Sequence, residues 1–371
     1  MTENLPDGEP STRYLHFAVV VLNWNGRRHL QHYLPSVLAT RYPNWTCVVV
    51  DNASTDDSVN WIKSLNHNAL KLIELDENRG YTGGYNLALA GLEADVYVLL
   101  NSDVAVSENW LVPLNQAFQS SPQVLAVQPK ILADKHPTRF EYAGAGGGMV
   151  DRLGYPFCAG RVFSDLEEDR GQYDMPRTVF WVSGACMAVR STAFREAGGL
   201  DARYFAHMEE IDLCWRLQRL GGRLLTAPGS VVYHLGGGSL AYGSPRKTFL
   251  NFRNSLYTLT KNLHPQELFV KVFSRLILDG LAALYFVVRG SPADFGAVLR
   301  AHLHYYQVLP ELLQERRRSR QPFLRLEQMQ GVWQGSIWPY LALGASRRKR
   351  MRQALGDFVA KRVYNPSGQG H

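Results

Sequence analysis

Cysteine is scarce in this chain. Four occur in 371 residues (Cys47, Cys158, Cys186 and Cys214), and no two have C-x-x-C spacing. This argues against a disulfide framework or a zinc site and favours reduced thiols in a cytoplasmic compartment. The amino terminus, from Met1 to Pro10, is acidic and has no apolar h-region, so no secretory leader is expected. No window offers the ~20 uninterrupted apolar residues of a confident transmembrane helix. The dinucleotide fingerprint G-x-G-x-x-G is missing, which weighs against a dehydrogenase. A sugar-nucleotide pyrophosphorylase would need a basic Gly-rich loop after its first strand. Asn23-Trp24-Asn25-Gly26 stands there instead. Acidic residues also thin out late in the chain. Residues 251–371 hold 7 Asp/Glu against 18 Lys/Arg, net +11, whereas residues 1–250 hold 26 against 22, net −4. A uniform nucleic-acid-binding coat is therefore not expected, and no nucleic-acid fold motif accompanies the basic runs.

What is present is globular, with 46% hydrophobic, 20% charged and 11% aromatic residues. Continuous apolar runs at 17–22, 46–50 and 95–100, with a weaker one at 124–128, fit the buried strands of a parallel sheet. Helix-like stretches at 28–39, 55–65 and 83–92 lie between them, the second opening on Thr55-Asp56-Asp57 as a capped start. This alternation predicts a doubly wound, Rossmann-like α/β sheet with ligands beyond the carboxyl ends of its strands. Those ends carry Asn23-Trp24-Asn25, Asp51-Asn52-Ala53-Ser54 and Asn101-Ser102-Asp103. An ordinary Asn/Asp-rich turn accounts for any one of them, and less well for all three. Gly144–Gly148 is expected as a loop or irregular hairpin. A strand at 180–189, a helix at 209–220 and a strand at 223–234 ending in His234 follow, then the loop Gly236-Gly237-Gly238-Ser239. From about 247 the pattern is helical. The expected organisation is a flexible terminus at 1–14, an α/β domain at 15–245 and a basic helical region at 246–371.

Six segments occur in order: Val19–Asn25, Asp51–Asp56, Asn78–Asn86, Asn101–Asp103, Glu209–Arg216 and His234. Together they resemble the inverting family-2 glycosyltransferases of the GT-A fold, especially the rhamnosyltransferase-like and galactofuranosyltransferase-like branch. The resemblance spans roughly residues 15–265 and extends into Arg253-Asn254 and Lys261-Asn262-Leu263. It implies an α/β GT-A domain with a mainly helical C-terminal extension.

Each segment also has its own chemistry. Asp51, at a strand end, can accept a hydrogen bond from N3–H of uracil or thymine, or it can simply cap a turn. The Gly-rich helix opening with Asn78, Gly80, Gly83, Gly84 and Asn86 can present backbone N–H groups to phosphate. Leu22, Asn23, Trp24, Asn25, Asn101, Ser102 and Asp103 complete the expected nucleotide-sugar site. Asn101-Ser102-Asp103 aligns with the family's D-x-D motif, which implies that Asp103 binds a divalent cation, Mg²⁺ or Mn²⁺, suited to hard oxygen ligands. Asn101 replaces one of the family's aspartates. The resemblance makes His234 the second metal ligand. It makes Glu210 the catalytic base, one methylene longer than the family's usual aspartate, with Glu209 and Asp212 able to share the role. Acidic residues there also suit the positive end of a helix. Trp181, Ser183 and Gly184 match the acceptor segment, where Trp181 either stacks on a sugar or lies in the core.

Residues 268–288 are apolar but broken by Lys271, Arg275 and Asp279. With the runs Arg316–Arg320 and Ser346–Arg352, they suggest an amphipathic region lying on an anionic membrane. Packing as core is the alternative. The resulting expectation is a metal-dependent inverting transferase, peripheral on the cytoplasmic face of the cell membrane. It would move a rhamnose-like sugar from a UDP- or dTDP-sugar to a lipid-linked saccharide acceptor in cell-surface polysaccharide synthesis. The non-enzymatic alternative is a membrane-peripheral scaffold with a degenerate transferase domain.

Overall fold

The computed structural model describes residues 13–142, 144–236 and 244–366. Strands β1 (Phe17–Asn23), β2 (Trp45–Asp51), β3 (Leu70–Glu74) and β4 (Val96–Asn101) alternate with helices α1 (Arg27–Leu38), α2 (Ser58–Ser64) and α3 (Gly80–Ala90). The strands pair in parallel in the order β3-β2-β1-β4. Alternate residues of β1 feed two separate cores: Ala18 and Val20 on one face, Phe17, Val19 and Val21 on the other. A strand buried on both faces has no polar side to show, so its sequence reads as one apolar run.

Next come β5 (Val104–Val106), α4 (Leu111–Ser120), β6 (Val124–Ala133) and β7 (His136–Phe140). A small inserted sheet begins with β8 (Gly148–Asp151), β9 (Pro156–Cys158), β10 (Arg161–Val162) and β11 (Asp165–Leu166). The chain returns to the main sheet through β12 (Cys186–Arg190), α5 (Ser191–Glu196), α6 (Glu209–Arg219) and β13 (Arg223–His234). The main sheet continues β4-β12-β6-β13-β5, with β7 on β6. Here β12 runs antiparallel to β4 and β6. Helices α7 (Pro245–Asn262), α8 (Pro265–Val288), α9 (Pro292–Arg318) and α10 (Ala345–Ala360) follow, with β14 (Val332–Trp333) between the last two.

Several expectations need correction. Strand β3 was not anticipated: Leu-Lys-Leu-Ile-Glu is a half-exposed edge strand, so it lacks the continuous apolar run of its neighbours. The segment expected as one strand over 180–189 is a strand only from Cys186. The Gly144–Gly148 stretch needs no correction: it is a turn feeding β8, with Gly144 at φ 104° and Gly147 at φ 115°, a region open to glycine. Helix α2 starts at Ser58, whose backbone N–H and hydroxyl both donate to Asp56. Residues 237–239 of the glycine loop after His234 lie outside the described residues.

The boundary at 245 coincides with the start of α7 but does not separate two cores. One buried cluster runs from Ala18 through Trp215 and Tyr257 to Leu326 and Val359, and β14 pairs in parallel with β8. The basic run at 316–320 is partly consumed in this packing, because Arg316 donates to the carbonyls of Thr260, Lys261 and Leu263 at the end of α7. Among the described residues no helix is long and apolar enough to cross a membrane.

Candidate active site

The carboxyl ends of β1 and β2 meet in register at Asn23 and Asp51. Asn23 Nδ2 donates to Asp51 Oδ1 at 2.9 Å, and the Ser54 backbone N–H donates to Asp51 Oδ2 at 2.8 Å. Asn25 sits at φ 49°, and its side-chain oxygen accepts from the Thr55 N–H at 2.7 Å. Trp24 between them is exposed, and Leu22 packs against Gly84. Gly26 is required by space, since a Cβ there would stand 2.3 Å from Asn23 Oδ1 and 3.7 Å from Ser102 Oγ. Asn23, Asn25, Asp51 and Ser102 therefore share one cradle.

The opening of α3 is tied to the same edge. Asn52 donates to Asn78 Oδ1 (3.0 Å) and to the Gly80 carbonyl (3.1 Å), and accepts from Arg79 N–H (2.9 Å). Gly80, at φ 67°, lies so close to the Phe205 ring that a Cβ would be 2.7 Å from it. A Cβ on Gly83 would be equally close to the Arg79 side chain. Asn86 does something different from what was expected. Its amide donates to the Leu200 carbonyl (2.6 Å) and its oxygen accepts from Leu200 N–H (2.9 Å), so it clamps α3 to the segment before α6.

At the β4–β5 turn, Asp103 Oδ1 lies 3.2 Å from His234 Nε2, and Asn101 Nδ2 lies 3.5 Å from the same nitrogen. Glu141 Oε2 lies 3.1 Å from the other ring nitrogen of His234. Burial opposes charge on His234, but the hydrogen bonds it donates to the two carboxylates, and their negative charge, outweigh it and push its pKa up to about 10. Burial likewise opposes ionisation of Asp103, and His234 more than compensates, so its carboxyl falls below the usual range. Glu141 carried no sequence signal. It lies between motifs, just after β7, and the pairing of β7 with β6 and of β6 with β13 brings it here.

The acidic segment opens α6 behind an unusual loop. Phe205 (φ 63°), His207 (φ 68°) and Met208 (φ 72°) are all left-handed without being glycine, an arrangement that persists only where its surroundings enforce it. The enforcement comes from α7. The Asn254 amide donates to the carbonyls of Tyr204 (3.1 Å), Ala206 (2.9 Å) and His207 (2.7 Å). Arg253 donates to those of Arg203 (3.0 Å) and Tyr204 (3.1 Å).

Three acidic residues then take two different roles. Glu209 and Glu210 each keep Oε2 sealed from solvent with no hydrogen-bond partner among the described residues. Burial raises the Glu210 pKa to about 7. Burial and then the neighbouring Glu210 charge lift Glu209 well above the usual range. Asp212 is not available as a base, contrary to expectation. It is wholly buried and accepts from Arg216 (2.8 and 3.0 Å), Lys261 (3.0 Å) and Asn262 (2.8 Å). Burial would raise its pKa, but Arg216 and Lys261 hold it below the usual range.

Glu210 borders the expected acceptor segment. A Cβ on Gly184 would come 3.8 Å from the Glu210 Cβ and 3.0 Å from the Tyr81 hydroxyl, which donates to the Gly184 carbonyl at 2.7 Å. The next carbonyl, that of Ala185, accepts from Asn101 N–H at 3.0 Å, so the base candidate and the Asn101–Asp103 turn adjoin one short segment. Tyr81, inside a motif but unassigned by it, ties the start of α3 to that segment through the Gly184 carbonyl. Ser183 is buried, with its N–H on Gln128 Oε1 (2.8 Å). Trp181 is a core residue: its indole N–H donates to the Met149 carbonyl (3.0 Å) and its ring lies over Gly148. It offers no face to a sugar.

Known proteins resemble this chain in sequence and in fold. Residues 18–198 match the model of Glycosyl transferase family 2. The chain is 29% identical over 235 residues to an N-acetylglucosaminyl-diphospho-decaprenol L-rhamnosyltransferase of Mycobacterium tuberculosis, covering 58% of this chain and 75% of the relative. It is 29% identical over 238 residues to the pre-mycofactocin glycosyltransferase of the same organism, covering 62% of this chain and 44% of that protein. Among solved structures, S. aureus TarS 1-349 in complex with UDP-GlcNAc superposes with TM-score 0.53 at 15% identity, over 93% of this chain and 90% of that one. GalNAc-T7 with UDP, GalNAc and Mn²⁺ gives 0.51 at 17% identity, over 67% and 49%. With the family match over the strands that carry the cradle, and with this sheet and helical extension, residues 18–198 form a Glycosyl transferase family 2 domain within a chain of the GT-A fold.

Proposed function

We propose that this enzyme is a metal-dependent inverting transferase that moves a rhamnose-like sugar from a UDP- or dTDP-sugar to a lipid-linked saccharide in cell-surface polysaccharide synthesis. One observation carries the mechanism: Glu210 is a carboxylate with a sealed, unpartnered oxygen and a pKa near 7, beside Gly184 at a helix start. A base works best when its pKa lies near the working pH. Glu210 takes the proton from the acceptor hydroxyl as that oxygen attacks the anomeric carbon. The new glycosidic bond forms on the face opposite the leaving group, the bond to the nucleoside diphosphate breaks, and configuration inverts.

Asp51 and Asn23 suit the base end of the donor. A carboxylate has room for another donor beyond its two protein partners, and uracil or thymine N3–H supplies one. Asp103 and His234 would hold the cation. No cluster of three His, Cys, Asp or Glu ligands occurs among the described residues, yet a hard divalent ion takes much of its shell from substrate phosphates and water. Glu141 on the far nitrogen of His234 is the outer-shell carboxylate that orients a metal-binding imidazole. A bound Mg²⁺ or Mn²⁺ would neutralise charge on the departing diphosphate. The acceptor class draws on the name of the mycobacterial rhamnosyltransferase relative, whose acceptor is a lipid diphosphate-linked sugar.

The test is donor hydrolysis and transfer across a panel of UDP- and dTDP-sugars, with donor binding by titration calorimetry. Glu210→Gln should abolish transfer and spare donor binding, while Asp103→Ala should lose both transfer and cation-dependent binding. Near-normal turnover by Glu210→Gln would remove the base assignment.

A further inference from the structure

Helix α8 is built inside out. Its charged residues face the protein: Arg275 is 6% exposed and Asp279 1%. They join at 2.7 Å, with the guanidinium over the Tyr155 ring at 3.9 Å. Lys271 donates to the Arg152 carbonyl at 2.6 Å and lies 3.1 Å from Glu267. The two cations expected to meet a membrane therefore point away from one. The outward stripe is apolar instead: Phe269 (78% exposed), Phe273, Ile277, Leu281, Leu284 and Val288 (84%). At 1.5 Å per residue these cover roughly 28 Å along the helix. Helix α9, joined to α8 through Gly290 and by His302 on Asp279 (3.4 Å), adds exposed Leu299, Leu303 and Tyr306.

Along residues 268–310 the exposed charge has a single sign; exposed Glu311 and Glu315 lie further on, at the far end of α9. Both acidic residues between 268 and 310, Asp279 and Asp294, are buried, and the exposed charges there are Arg289 and Arg300. A second copy laid face to face would bring arginine to arginine with no exposed carboxylate from this stretch to answer it. An anionic headgroup layer answers both, and apolar and aromatic side chains beneath a cationic rim suit the boundary between headgroups and acyl chains.

We propose that the outward face of the α8–α9 pair seats in the interface of an anionic bilayer, with both helices in its plane. The placement rests on this geometry and not on the donor or acceptor assignment, which a water-soluble acceptor analogue tests separately. The experiment is flotation of the full chain with vesicles of phosphatidylcholine alone or mixed with phosphatidylglycerol. Wild type should float with the mixed vesicles. Phe273→Glu combined with Leu284→Glu should weaken that binding by about tenfold or more. Arg289→Ser combined with Arg300→Ser should lose the preference for anionic vesicles. Circular dichroism and transfer to the soluble analogue should stay unchanged in both, since the four side chains lie outside core and site. Undiminished flotation of the Glu variant, or no flotation of wild type, would overturn the proposal. So would a wild-type dimer in vesicle-free gel filtration that the Glu variant converts to monomer, because the face would then be a self-interface.

Discussion

Glu210 and Asp212 sit two positions apart on one helix, carry the same carboxyl group and meet opposite surroundings. Glu210 has lost water without gaining a donor to its sealed oxygen among the described residues, so its proton is retained to about pH 7. Asp212 has lost water and gained Arg216, Lys261 and Asn262, so it stays ionised. The pH consequences are opposite in sign. For catalysis, kcat/KM should rise with pH through about 7 as Glu210 ionises, and this limb should vanish in Glu210→Gln. An unchanged limb in the variant's residual activity would place the titration elsewhere. For stability, a carboxyl raised from 4.5 to about 7 costs the fold progressively as pH climbs between those values. Glu210→Gln should therefore melt higher relative to wild type at pH 8 than at pH 4. Asp212 stabilises above the ordinary carboxylate pKa of 3.8, and that contribution is lost as pH falls through its lower folded value. Asp212→Ala strands Lys261 and Arg216 in the interior and should cost about 3–5 kcal/mol, read by denaturant unfolding at neutral pH.

At the scale of elements, the loop before α6 and helix α7 form one device. Three left-handed non-glycine residues would relax without the Asn254 amide beneath them. Asn254→Ala leaves buried carbonyls unpaired, at about 1–3 kcal/mol. It should lower kcat at least about tenfold by letting Glu210 move, because misplacing a reacting group by even 1 Å is costly. Donor affinity by calorimetry should hold, since the Asp51 cradle belongs to other strands. Equal loss of donor binding would mean that the loop is part of the donor site. Asn86→Ala offers the contrast: it unclamps Leu200 and should lower the melting temperature with donor affinity unchanged. Strands β1, β2 and β4 were legible because burial on both faces leaves a continuous apolar run. Strand β3 was not, because an edge strand alternates and its Leu-Lys-Leu-Ile-Glu resembles many helical fragments.

For the whole molecule, the split between an acidic amino-terminal part and a basic tail is real in sequence and does not divide the structure. Leu312, Leu326, Leu355 and Val359 lie in the same buried cluster as Trp215 and Tyr257, and β14 extends the inserted sheet. A chain ending at Leu263 should therefore expose much of that cluster. It is expected to lose cooperative unfolding by calorimetry, whereas a folded, active truncate would show the helices to be a separate unit. The amino-acid sequence by itself determined the alternating α/β order, the polar residues at the strand ends and the succession of motifs, because each is written in residues close together along the chain. Tertiary structure alone decided which acid keeps a sealed oxygen without a partner among the described residues and which is anchored by cations, and that Glu141 lies against His234. It also decided which way α8 faces. A helical spacing such as Lys271 and Arg275 defines a face, but only the packing of distant segments determines whether that face meets water, lipid or protein.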